Sequence, residues 1–156
     1  MRPEFDIGKL EDLYREIILD HYRYPRNRGH LDHPDLSAEG MNPFCGDEIT
    51  IELKLNGAGQ VKEVVFRGRG CSISQASVSM LTEKIKGKTL DETLQLSNLF
   101  KDVMHGKELS QEELEQLGDL VALEGVRKFP IRIKCALLGW AALEEVLSTH
   151  KERDKG

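Results

Sequence analysis

The chain has 156 residues, of which 39% are hydrophobic and 6% aromatic, and its formal net charge at pH 7 is −5. This size fits a single domain over residues 1–156, and no apolar run approaches the ~18 residues that a membrane-spanning helix needs. Lysines and arginines are scattered among acidic residues, so the basic face and aromatic platforms typical of nucleic-acid binding are missing. The polar N-terminus lacks the apolar segment of a secretory signal, which predicts a cytoplasmic location.

The first third of the chain is predicted to be a helix followed by a connector. Apolar residues recur at helical spacing from Ile7 to Tyr22, and Pro25 ends the pattern. Prolines and glycines punctuate residues 23–43, which is typical of an extended segment with one short strand near residues 36–41.

Three histidines are candidate metal ligands that the local sequence argues against. His30 and His33 lie three residues apart, but a turn-rich connector without a helix favours solvated side chains. His105 falls in the last turn of a predicted helix, where a histidine interacts favourably with the helix dipole.

Two strands with a tight turn between them follow the connector. Apolar and polar residues alternate from Ile49 to Leu55, which predicts a strand with one buried face. The Asn56–Gly59 stretch is a strong turn signal, and a second strand is expected at Val61–Arg67. The pair should form an antiparallel hairpin.

The second half of the chain is predicted to be helical. Apolar stripes, two capping-box patterns and a break at 128–132 place helices at 72–85, 90–104, 110–121 and 133–147. The charged tail at 151–156 is expected to fray. A helix, strands and then helices predict an α+β domain, in which helices pack on one face of a small antiparallel sheet of about three strands.

The three cysteines are far apart in the sequence, and each lies at a predicted junction. Cys45 stands in a Pro- and Gly-flanked loop two residues before Asp47, Cys71 follows the second strand, and Cys135 lies in the first turns of the last helix. An odd, sparse set argues against a disulfide framework, and a buried core position is the alternative for each cysteine alone. Together, three thiolates and a carboxylate make a four-ligand set that suits zinc, iron or an iron–sulfur cluster, although the spacing is not a compact CxxC pair.

Basic residues near these cysteines could balance the negative charge of such a site. Four cations flank the second and third cysteines: Arg67, Arg69, Arg132 and Lys134. They could offset the excess charge of three thiolates and a carboxylate on a divalent ion. Solvated surface cations are the ordinary alternative.

Three short motifs resemble the signature stretches of one family. The motifs Asn42–Asp47 (NPFCGD), Gly70–Ser74 (GCSIS) and Arg132–Cys135 (RIKC) closely resemble those of IscU/NifU N-terminal-type iron–sulfur cluster assembly proteins. The resemblance runs from about Leu10 to His150, and the three motifs in this order are highly specific. It implies an IscU/SufU-like fold.

Three departures from the IscU pattern resemble the SufU branch of the family. Lys134 stands where IscU-type chains have a histidine, and Lys128–Arg132 lacks their double proline. An extra stretch, roughly Phe100–Gly118, has no counterpart in typical IscU chains.

The resemblance implies a function for the cysteines. SufU-type proteins hold zinc and accept sulfur from a pyridoxal-phosphate-dependent SufS-type cysteine desulfurase, so Cys45, Asp47, Cys71 and Cys135 are the implied zinc ligands. Cys45, on the more mobile loop, is the implied persulfide acceptor, in a carrier related to sulfurtransferases. The alternative is a scaffold that binds iron, assembles a [2Fe–2S] cluster and passes it to acceptor proteins. A purely structural zinc domain is a third hypothesis.

Overall fold

The computed structural model describes the backbone of residues 3–155 and the side chains of residues 12–150. The elements in chain order are α1 (Pro3–Arg23), β1 (Leu36–Asn42), β2 (Asp47–Leu55), β3 (Val61–Arg69), α2 (Ser72–Ile85), α3 (Leu90–Met104), α4 (Gln111–Leu117), a 3₁₀ segment (Gly118–Lys128) and α5 (Pro130–Lys155). The strands form one antiparallel sheet in the order β1-β2-β3.

The predicted hairpin is confirmed. Apolar residues of β2 pair with apolar residues of β3, with Ile51 opposite Phe66 and Leu53 opposite Val64, and all four side chains are buried. In the turn, the side-chain oxygen of Asn56 accepts backbone N–H bonds, which fixes the reversal that the sequence signalled.

The meander brings two loops to the same end of the sheet. Asn42 at the end of β1 lies opposite Asp47 at the start of β2, and Glu48 lies opposite Arg69 at the end of β3. The β1–β2 loop and the β3–α2 junction are therefore neighbours in space. Cys45 and Cys71, which lie 26 positions apart in the sequence, occupy these two segments.

Helices α2 and α5 pack on one face of the sheet, as predicted. Helix α5 approaches β1 closely because Gly40 has no side chain, since a Cβ there would lie 3.2 Å from Leu138 and 3.3 Å from Ala142. Cys135 lies one turn before Leu138, so this approach carries it to the loop end of the sheet. Trp140 and Phe100, with ring centroids 5.4 Å apart, fill the core beneath α5.

Two predicted helix boundaries were wrong. The helix expected over 110–121 ends at Leu117, because Gly118 adopts a φ of +54° and the chain continues as a 3₁₀ segment. The last helix begins at Pro130 and not at Ile133, because a proline in the first turn gives up an N–H that has no partner in the helix. Both capping boxes, opened by Thr89 and Ser110, are confirmed.

Other expectations stay predictions. The frayed tail at 151–156 lies outside the residues whose side chains are described. The stretch Phe100–Gly118, expected to be an insertion, forms the end of α3, a loop and α4. Within the described residues, no helix has the length and apolar content to span a membrane.

We predict that Glu52 links stability to pH. Its carboxylate accepts bonds from the Leu31 N–H and the Arg67 guanidinium, each at 2.9 Å, and these partners lower the pKa of Glu52, Leu31 foremost. Because the pKa is depressed, the stabilisation is present above the ordinary glutamate pKa and is lost as pH falls through the lowered value. Glu52→Gln should therefore cost about 1 kcal/mol of unfolding free energy at pH 7, and less in acid.

Urea unfolding of both proteins at several pH values measures this difference. Glu63→Gln, on the exposed part of β3, is the matched control and should have little effect at any pH. An equal cost for Glu52→Gln at all pH values would contradict the prediction.

Candidate metal centre

A short turn between β1 and β2 presents Cys45. The side-chain oxygen of Asn42 accepts the N–H of Phe44 at 3.2 Å, and its backbone carbonyl accepts the N–H of Cys45 at 3.2 Å. Gly46 then adopts a φ of +70°, a conformation that side chains resist. The turn leaves Cys45 partly exposed and starts β2 at Asp47.

Asp47 connects this turn to the β3–α2 junction. Its side chain is fully buried, and its Oδ1 accepts the N–H of Cys71 at 2.8 Å, while its Oδ2 lies 3.9 Å from Cys71 Sγ. The preceding Gly70 makes this approach possible, because a Cβ there would lie 2.3 Å from Asp47 Oδ1. Cys71 is the N-cap residue of α2, as the sequence predicted, so its sulfur lies at the positive end of a helix.

Cys135 completes the cluster from α5. It is fully buried, and its Sγ lies 3.1 Å from Cys45 Sγ. The ligand atoms of Cys45, Asp47 and Cys135 all lie within 4.8 Å of one another. The ligand atoms of a tetrahedral zinc site are about 3.7 Å apart, given Zn–S bonds of about 2.3 Å, so this donor set fits such an ion with small side-chain adjustments. Cys71 lies next to this group, in contact with the Asp47 carboxylate.

The electrostatics of the cluster favour a bound cation. Burial foremost, and then hydrogen bonds with Cys45 and Asp47, raise the pKa of the Cys135 thiol above its usual value. The negative charge of Cys71 foremost, and a hydrogen bond with Cys135, raise the pKa of the Arg132 guanidinium. Thiolates grouped in this way need a compensating positive charge, which a metal ion supplies and Arg132 supplements.

The four cations flagged by the sequence have different partners. Arg67 pairs with Glu52 at 2.9 Å, and Arg69 pairs with Glu48 at 3.3 Å. Lys134 Nζ lies 5.8 Å from the centre of the Phe44 ring, in the range of a cation–π contact. Arg132 lies near the sulfurs, whose negative charge raises the pKa of its guanidinium.

An apolar surface near Cys45 and Cys135 was not recognised in the sequence. Four large side chains in the segments just before these two cysteines are well exposed: Met41, Phe44, Phe129 and Ile131. A shallow cavity of about 270 Å³ lies among Phe44, Pro130, Ile131 and Lys134. The signal in the sequence was the Phe129-Pro130-Ile131 stretch, which had been interpreted as a simple break. Exposed apolar groups clustered at a reactive site are typical of a binding surface.

The histidines lie away from this cluster. His30 and His33 are exposed, and neither belongs to a metal-ligand group among the described residues. His105 Nδ1 contacts the carbonyl of Lys101 at 2.8 Å, at the end of α3, as expected. His21 was overlooked: it lies on the buried face of α1, with Nδ1 2.8 Å from Ser79 Oγ.

Comparison with known proteins decides the family. Residues 13–155 match the NifU-like N-terminal domain. The chain belongs to this family. The predicted resemblance to IscU/NifU-type proteins is thereby confirmed.

Individual relatives favour the SufU branch. The chain is 49% identical to the zinc-dependent sulfurtransferase SufU of Bacillus subtilis strain 168, over 88% of this chain and 91% of the relative. It is 38% identical to the iron–sulfur cluster assembly scaffold protein IscU of Streptococcus pyogenes serotype M1, over 90% and 86%. The crystal structure of FiSufU from Fervidobacterium islandicum AW-1 matches with a TM-score of 0.78 and 36% identity, covering 85% of this chain and 94% of that one.

We predict that Gly70→Ala disrupts the metal centre while the fold persists. The new Cβ would collide with Asp47 Oδ1 and lie 2.7 Å from Ser74 Oγ, so the carboxylate must leave the Cys71 N–H. Loss of such an orienting bond should weaken zinc binding about 10–100-fold. A competitive chelator titration measures the affinity.

Gly57→Ala is the matched control, because a Cβ at Gly57 meets no atom within 4 Å. It should bind zinc like the parent protein. Parental zinc affinity in Gly70→Ala would show that the Asp47–Cys71 bond is dispensable.

Proposed function

We propose that this chain is an iron–sulfur cluster assembly protein that accepts sulfur on Cys45 from a SufS-type cysteine desulfurase. The observation that carries the proposal is the convergence of Cys45, Asp47 and Cys135 within 4.8 Å, with Cys71 beside Asp47. A relative that is 49% identical is named a zinc-dependent sulfurtransferase. We assign zinc to these four residues, because a d¹⁰ ion accepts thiolates and a carboxylate without redox chemistry.

The environments of the cysteines single out Cys45 as the acceptor. Cys135 is fully buried on a helix, and the backbone of Cys71 is tied to Asp47. Cys45 is partly exposed on a short turn between β1 and β2, outside the paired strands. When bound, zinc keeps the thiols deprotonated at neutral pH.

The transfer step is a thiol–persulfide exchange. The Cys45 thiolate attacks the outer sulfur of the persulfide carried by the desulfurase, and a new S–S bond forms on Cys45. The S–S bond on the desulfurase breaks, and its electron pair leaves with the desulfurase cysteine as a thiolate. Cys45 then carries the sulfur to a downstream scaffold or acceptor protein. Arg132 stabilises the negative charge near the sulfurs during the exchange.

The exposed apolar surface gives the desulfurase a place to dock. Phe44 is 84% exposed directly beside Cys45, and Ile131 is 66% exposed. A partner that covers these side chains would exclude water from the exchanging sulfurs. The step also requires reduced thiols, which fits a cytoplasmic location.

A scaffold function is the second candidate. It is favoured by the 38% identity to a protein named as an IscU scaffold. The same three cysteines and Asp47 could receive iron and sulfide as substrates and build a [2Fe–2S] cluster. Metal content separates the two: one zinc per purified chain favours sulfur transfer, and iron favours the scaffold.

We predict that Cys45→Ala abolishes stimulation of a cognate desulfurase. The zinc-loaded parent protein should raise cysteine turnover roughly tenfold or more, which corresponds to about 1.4 kcal/mol of barrier. The variant should give no rise, because the accepting thiol is gone and Cys71 and Cys135 are held in place by Asp47 and by burial in the core. Mass spectrometry should find one added sulfur atom on Cys45 in the parent.

The control is the same variant's zinc content, which separates a missing nucleophile from a lost site. The desulfurase alone sets the baseline. If the parent fails to stimulate turnover but forms a stable visible-absorbing cluster with iron and sulfide, the scaffold function is correct and sulfur transfer is not.

We predict different roles for Arg132 and Lys134. Arg132→Gln should weaken zinc binding about tenfold, because it removes the cation that compensates the sulfurs. Lys134→Gln should leave zinc affinity unchanged and raise the concentration needed to stimulate the desulfurase, because Lys134 faces Phe44 on the apolar surface.

Each variant is the charge-matched control of the other. Chelator titration gives the zinc affinity, and the dependence of desulfurase rate on protein concentration gives the docking strength. Equal zinc affinities for the two variants would refute the division of roles.

A further inference from the structure

Asn42 is a buried polar residue that contacts two of the cysteine segments. It is the last residue of β1, lies opposite Asp47 in the sheet register, and is only 7% exposed. A buried amide is costly unless its donor and acceptor atoms are both used. The proposed sulfur transfer assigns it no part.

Both ends of the Asn42 side chain have partners at the metal centre. Its Oδ1 accepts the Phe44 N–H at 3.2 Å, and its Nδ2 donates to Cys135 Sγ at 3.8 Å. The amide orientation is fixed by the first bond, because a backbone N–H must face an oxygen and cannot face an NH₂ group. The donor end of Asn42 therefore faces the sulfur of Cys135.

The two neighbouring sulfurs consequently have different surroundings. Within the part of the chain whose side chains are described, Cys135 Sγ receives the buried Asn42 N–H and also has the exposed Arg132 guanidinium as a hydrogen-bond partner, while Cys45 Sγ accepts only from the Cys135 thiol. An N–H bond draws electron density from a thiolate, lowers its nucleophilicity and anchors it in place, as hydrogen bonds to other metal ligands do. Among the described residues, Cys45 Sγ receives no such N–H bond, and Asn42 also holds the turn that exposes Cys45.

We propose that Asn42 is a positioning residue that selects Cys45 over Cys135 as the reacting thiol. It hydrogen bonds to one sulfur and presents the other through the turn. The inference rests on the proposed function for its biological meaning. The selection itself is a property of this chain and can be measured without a desulfurase.

The test uses two substitutions at Asn42. Asn42→Asp keeps an oxygen for the Phe44 N–H and replaces the NH₂ donor by a second oxygen. Asn42→Ser is neutral and too short to reach Cys135, so it separates the missing donor from the added charge. It also keeps the test decisive if the aspartate perturbs the turn. Asn56→Asp, in the exposed β2–β3 turn, is the control for the same chemical change.

Two readouts follow the sulfurs directly. In the Co²⁺-substituted protein, the sulfur-to-cobalt charge-transfer band should move to lower energy in both Asn42 variants, because a thiolate without its hydrogen bond is richer in electrons. In the zinc-loaded protein, brief treatment with iodoacetamide followed by peptide mass analysis should find the ratio of Cys135 to Cys45 alkylation raised about fivefold. Asn56→Asp should match the parent in both.

An unchanged charge-transfer band and an unchanged alkylation ratio in metal-loaded Asn42→Ser would overturn the inference. Because neither readout involves sulfur transfer, an inactive parent protein in the desulfurase assay would refute the proposed function and leave this result standing. Conversely, a parental alkylation ratio in the variants, together with normal desulfurase stimulation, would refute the role of Asn42 alone.

Discussion

The buried carboxylate of Asp47 is the constraint on which the candidate metal centre depends. A carboxylate with no solvent exposure is stable only if its charge is compensated, and here the Cys71 N–H and the N-terminal end of α2 contribute to this. The same bond joins the start of β2 to the start of α2. The carboxylate therefore fixes the distance between the two segments that carry Cys45 and Cys71.

Two close approaches of the backbone bring the cysteine segments together. Gly70 lets the backbone before Cys71 reach Asp47, and Gly40 lets α5 settle against β1. Without the second approach, Cys135 would lie too far from the sheet to contact Cys45. The core of Ile51, Phe66 and Trp140 holds the sheet and α5 together, so the stability of the core and the geometry of the site are linked.

Local patterns in the sequence predicted the helices and strands better than the segments that connect them. The alternation in β2, the turn at Asn56 and the capping boxes at Thr89 and Ser110 are local signals, because each is satisfied by residues within a few positions. The 3₁₀ segment after Gly118 is not encoded in this way. Its shape follows from packing against α1 and α5, which no short window contains.

In the candidate site, too, the sequence reveals residues with local signals and hides those that depend on long-range contacts. The three cysteines and Asp47 could be found because their residue types and their family motifs carry chemistry by themselves. Asn42 could not, because its importance lies in contacts with Phe44 and Cys135, the latter 93 positions away. The different environments of Arg132 and Lys134 were also hidden, since the two residues are near neighbours in sequence and differ in the direction their side chains take on α5.

The site combines requirements that conflict in most proteins. Thiolates that hold a metal firmly are poor nucleophiles, and a thiol that reacts readily is a poor permanent ligand. Cys135 lies in the core and Cys45 on a turn, with their sulfurs 3.1 Å apart, and the proposed function assigns the two demands to these two residues. In the proposed function, Cys45 on its turn would be the ligand that leaves, while Asp47 is held by the Cys71 N–H and Cys135 by the core. A partner that covered the apolar side chains near Cys45 would then enclose the exposed sulfur during the exchange.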